Sequence, residues 1–103
     1  MSGFVFHPEA LADLEEIWEY IATDSLDAAD RVLEELHETI RSLVPFPLMG
    51  HVRTDLSARA LRFHPVRDFL VVYAPEEKPL VVIAVLHGRR NPRVMAAMLR
   101  DRE

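Results

Sequence analysis

The chain has 103 residues, half of them apolar and 28% charged, with no Cys, three Gly and a formal net charge of −5. That leaves room for one small domain over residues 1–103, and it excludes a disordered or fibrous chain, a disulfide framework, a thiolate nucleophile and a Cys-based zinc site. As a total, the negative charge also argues against nucleic-acid binding over the whole surface. By position the charge divides. Residues 1–50 carry eleven acids against Arg31 and Arg41, a balance of −9, while residues 51–103 carry ten bases against six acids, a balance of +4. Nine of those ten bases are Arg, whose planar fork suits carboxylate and phosphate recognition.

In chain order, Phe4-Val5-Phe6 predicts a short strand, and Pro8 suits the first turn of a helix beginning near His7. Leu11, Leu14, Ile17, Trp18 and Ile21 recur at helical spacing against Asp13, Glu15, Glu16 and Glu19, which predicts an amphipathic helix over 8–23. On that reading Asp13 and Glu16 belong to a solvated face. After the Asp24-Ser25-Leu26-Asp27 turn, Ala29, Val32, Leu33, Leu36, Ile40, Leu43 and Val44 repeat the pattern until Pro45 and Pro47 stop it. The two helices form an antiparallel hairpin. Ala60 to His64 alternates as a half-buried strand, and after His64-Pro65-Val66-Arg67 the next strand is Asp68 to Tyr73. Leu80 to Leu86 is apolar throughout and rich in branched residues, a central strand covered on both faces. Pro92 opens a last short helix with Val94, Met95, Met98 and Leu99 on its apolar side. The expected fold is α+β: an N-terminal strand, a two-helix antiparallel hairpin packed on a mainly antiparallel four-stranded sheet, and a short C-terminal helix. Met1 to Phe6 lacks the pattern of a secretion signal and no apolar run is long enough to span a bilayer, so a cytoplasmic protein with no membrane contact is expected.

Pro8-Glu9-Ala10-Leu11-Ala12-Asp13-Leu14-Glu15-Glu16-Ile17-Trp18 resembles the opening of the RelE/ParE superfamily, the toxins of bacterial type II toxin–antitoxin systems. Gly50 to Leu56, Leu61-Arg62, Tyr73 and His87-Gly88-Arg89-Arg90-Asn91-Pro92 agree in order and spacing, with Asn91 where an Asp is commoner. The resemblance implies one of two activities: poisoning of DNA gyrase, as in ParE-like members, or ribosome-dependent mRNA cleavage, as in RelE-like members. RNA cleavage through the 2′-oxygen needs a base, an acid and fixed cations for the phosphate. The only Lys is Lys78, in a hairpin link, and no Tyr follows Tyr73. The nuclease set that remains is His87 with Arg62 and Arg89, joined by Arg67 and Arg90; set against it, His87 reads as a turn histidine bonded to its own loop. No two His stand at a metal-ligand interval, so no metal is expected, and no cofactor is implied.

The gyrase reading asks for an Arg-bearing surface and is the better filled of the two. Its candidates are Arg53, Arg62, Arg67, Arg89, Arg90 and Arg93, extended by Arg100 and Arg102 of the last helix. The resemblance further implies a cognate antitoxin, ParD-like or RelB-like, whose C-terminal segment wraps the domain in a hetero-oligomer. Leu14 and Trp18 on the hairpin and Phe63 and Phe69 at the sheet rim are its candidate contacts. A domain that only sequesters an antitoxin, without toxicity, is a third reading.

Overall fold

The computed structural model describes residues 3–102, so Met1, Ser2 and Glu103 lie outside it. The elements run β1 (Phe4–Phe6), α1 (Pro8–Ala22), α2 (Leu26–Leu43), β2 (Arg62–Val66), β3 (Phe69–Ala74), β4 (Leu80–His87) and α3 (Pro92–Asp101). Local chemistry sets the helix starts. His7 caps α1 through its ring, Ser25 caps α2 by accepting from the Ala28 N–H, and Asn91 caps α3 by accepting from the Arg93 N–H; Pro lies in the first turn of both α1 and α3.

The sheet order is β1-β4-β3-β2, with β1 parallel to β4 and the other pairs antiparallel. The α1–α2 hairpin covers one face through Ala10, Leu14, Val32, Leu36, Ile40 and Leu43, which pack on Val66, Val71, Tyr73, Val82 and Val85. The opposite face is closed by α3, through Met95 and Leu99, and by Leu56 and Leu61 of the long α2–β2 connection. Hence β4 is apolar on both sides, as its composition predicts. A bulge opposes Val72 to Ala84 and Tyr73 to Val82, leaving Ile83 as the extra residue.

One strand and one side chain differ from expectation. β2 continues through His64 and Pro65, and the turn is only Arg67-Asp68, with Arg67 at φ 54°. Pro65 is tolerated because β2 is an edge strand: its neighbour Phe63 exchanges both backbone bonds outward with His51, so the missing N–H of Pro65 also points away from the sheet. In α3, Met95 and Leu99 are buried as expected, but Val94 is exposed.

Candidate functional site

The tight β2–β3 turn, the end of β4, Arg90 of the β4–α3 link and Met98 of α3 meet beside the helical hairpin. Between them lies a groove of about 650 Å³. Ile17, Ile21, Phe69, Val85 and Met98 supply apolar walls, Asp13 and Glu16 stand on one flank, and Arg67, His87 and Arg90 stand on the other. Tyr20, 80% exposed, overhangs its α1 side.

The arginines read as one surface divide into three groups. Arg62 is structural: its Nη1 donates to the Leu48 carbonyl at 3.2 Å and the Gly50 carbonyl at 2.8 Å. Tyr73 completes that staple, donating its hydroxyl proton to the Pro47 carbonyl at 2.8 Å and accepting from the Gly50 N–H at 2.9 Å. A methyl at Gly50 would stand 2.7 Å from the Tyr73 oxygen, which is why the position has no side chain. Burial pushes the Tyr73 hydroxyl above its ordinary pKa, against the pull of the Gly50 N–H and the Arg62 charge. Arg53 and Arg67 are paired on the surface, with Asp55 and Glu35 respectively. The Asp55 bond raises Arg53, and reciprocally Asp55 is held below the usual carboxylate range. Arg89, Arg90 and Arg93 remain exposed at the β4–α3 corner, Arg90 folded toward the Met98 sulfur at 3.1 Å.

His87 sits at the same corner with its ring edge against Phe69, centroids 5.5 Å apart. Its Nδ1 accepts from the Arg89 N–H at 3.2 Å, so the neutral ring carries its proton on Nε2. The turn-histidine geometry is therefore present. Arg62 pairs with Tyr73 and His87 with Phe69, four residues apart along β3. About 13 Å of strand separates those levels. The nuclease set of His87, Arg62 and Arg89 is not brought together in one place.

Of the apolar contact candidates, Leu14 and Phe63 are 5% and 2% exposed and belong to the two cores, so neither presents a surface. Leu14 points at the sheet and Phe63 at the α3 side, where burial of a large apolar side chain stabilises most. Trp18 is half-buried and donates its indole N–H to Asp30 at 2.9 Å, tying α1 to α2. Only Phe69 of the four lines the groove.

Two charged side chains placed on solvated surfaces are buried instead. Asp13 and Arg102 are 9% and 7% exposed and form a two-pronged pair. Asp13 also accepts from the Val85 N–H at 3.0 Å, and Arg102 donates to the Ile83 carbonyl at 3.2 Å. β1 ends opposite Val82, so the pair covers the edge of β4 where its neighbour strand stops. The Asp13 bond raises the Arg102 pKa despite burial. Arg102 thus belongs to the core lock and not to the basic surface. The sequence carries a sign of this: Asp13 shares the inward helical spacing of Ala10, Ile17 and Ile21. Nothing comparable marks Tyr20 or Met98 as groove residues.

Compared with protein-family models, residues 4–92 match that of the ParE toxin of the type II toxin–antitoxin system, parDE. The chain belongs to the ParE toxin family. The match runs from β1 to the first residue of α3 and takes in both flanks of the groove. A ParE-family chain is the toxin of a type II pair and has a cognate antitoxin as partner. No curated protein matches the chain. Among the described residues, no helix of this ParE-family toxin is long and apolar enough to cross a membrane, and no cluster of His, Asp or Glu fits a metal ion.

Proposed function

We propose that this toxin acts on DNA gyrase in the cytoplasm and is neutralised when an antitoxin segment occupies the groove beside α1. The observation that carries the first part is the dispersal of the nuclease set, with Arg62 engaged by backbone carbonyls at the other end of the sheet from His87. An acid–base mechanism on RNA needs those groups within reach of one phosphodiester. A gyrase poison needs only a surface that engages a large partner or the DNA it holds, and the exposed Arg89, Arg90 and Arg93 corner supplies one. The groove adjoins that corner, so its occupant also covers the cations. Its apolar walls and cationic flank suit a segment that is disordered when free, apolar along one side and acidic at one end.

The test is purified toxin with gyrase, ATP and supercoiled plasmid, run beside translating ribosomes with mRNA. Trapped or cleaved plasmid supports the reading, and codon-phased mRNA cuts with intact plasmid support a RelE-like nuclease. Unimpaired growth on expression alone in a bacterial host, with neither activity, leaves only the antitoxin-binding module.

A further inference from the structure

We infer that the groove holds a strand-pairing site one residue long, and that the antitoxin segment enters it parallel to β4. The inference rests on the antitoxin reading above and adds its backbone mode and direction.

Past the end of β1, the backbone of Ile83, Val85 and His87 points away from β3, since Leu86 and Ala84 take the bonded positions of the β3–β4 ladder. Five of these edge groups matter. Asp13 takes the Val85 N–H, Arg102 takes the Ile83 carbonyl, and the Arg90 N–H donates to the His87 carbonyl at 3.0 Å. The Val85 carbonyl and the His87 N–H bond to nothing among the described residues. Both residues line the groove, with α1 on one side and Met98 of α3 on the other.

The identity of the two open groups decides the direction. An antiparallel partner exchanges both bonds with a single residue, and at Val85 and His87 one group of each is taken. A parallel partner uses the carbonyl of one residue and the N–H two residues on, which is the pair left open here. β1 already binds the same edge in that sense, with the Leu80 N–H donating to Gly3 and the His7 N–H donating to Val82. A segment running parallel to β4 passes Asp13 and Glu16 first and ends at Arg67, Arg89 and Arg90. Charge complementarity therefore calls for an apolar residue at the pairing position and acidic residues, or a terminal carboxylate, C-terminal to it.

Amide hydrogen exchange followed by NMR, on the isotope-labelled toxin alone and in complex with its co-expressed antitoxin, tests this without altering the toxin. The His87 amide is expected to slow at least tenfold in the complex, while the Val85 amide, already bonded to Asp13, changes little. A nitroxide placed C-terminal to the docked antitoxin segment is expected to broaden Gly88 to Arg90 and spare Ile83 and Arg102. A stable complex in which His87 exchanges as in the free toxin, or in which the nitroxide broadens Ile83 and Arg102 instead, overturns the pairing mode and leaves the antitoxin reading standing. Failure to form any complex overturns both.

Discussion

Asp13 and Arg102, 89 positions apart in sequence, close the edge of β4 with side chains where β1 runs out. Between them they satisfy the Val85 N–H and the Ile83 carbonyl, so the pair stands in for about one residue of missing strand. Leaving either charge buried alone is expensive, about 3–5 kcal/mol. Asp13→Ala and Arg102→Ala are each expected to lower the melting temperature by roughly 12 °C or more. The double substitution Asp13→Leu with Arg102→Met is expected to recover much of that loss, since no isolated charge remains. Thermal unfolding of the three variants measures it.

The Tyr73 hydroxyl holds a loop that also exposes Phe46, Leu48 and Met49. Tyr73→Phe removes two hydrogen bonds and strands the Gly50 N–H, at a cost of about 1.5–3 kcal/mol. Urea unfolding is expected to show that loss, with faster amide exchange at Gly50.

Arg62 and Arg89 separate structure from recognition. Arg62→Glu breaks both carbonyl bonds of the staple and is expected to cost about 1–3 kcal/mol. Arg89→Glu, at an exposed position, is expected to leave stability within about 0.5 kcal/mol while weakening gyrase poisoning or antitoxin binding. Unfolding curves paired with the two functional assays distinguish the roles.

A similar contrast holds on α1. Leu14→Ala opens a cavity under the hairpin and is expected to cost about 2–4 kcal/mol. Tyr20→Ala touches no core residue and is expected to preserve stability while loosening the antitoxin complex about tenfold, equal to about 1.4 kcal/mol. Calorimetric titration against the antitoxin checks the second value.

Acid is expected to weaken the fold through His64. Burial, and next the neighbouring charge of His51, push its pKa below the ordinary 6.5. The unfolded chain then binds the proton more readily, so this contribution is complete above pH 6.5 and is lost as the pH falls through the lower folded value. The pH profile of the melting temperature is expected to fall across that window, and His64→Gln is expected to flatten it.

Much of the fold was legible because it rests on local periodicity and caps: both long helices, the apolar β4 and Pro92 at the head of α3 follow from spacing alone. The limit of β2 was not, since Pro65 ends a strand unless the strand lies at an edge, and edge position is a tertiary fact. The site was less legible than the fold. Leu14 and Phe63 look like any exposed apolar residue until the sheet is assembled. Arg62 and Arg102 look like Arg89 until their long-range partners are known. The groove combines side chains from α1, the β2–β3 turn, β4 and α3, and no local pattern records that meeting.

Gyrase inhibition is measured most directly by adding purified toxin to gyrase and supercoiled plasmid with ATP and resolving the DNA after denaturing the protein. Dose-dependent linear plasmid, lost with Arg89→Glu and suppressed by stoichiometric antitoxin, is the predicted result. Plasmid unaffected at every dose, by a toxin that still arrests growth and cuts mRNA on ribosomes, would contradict it.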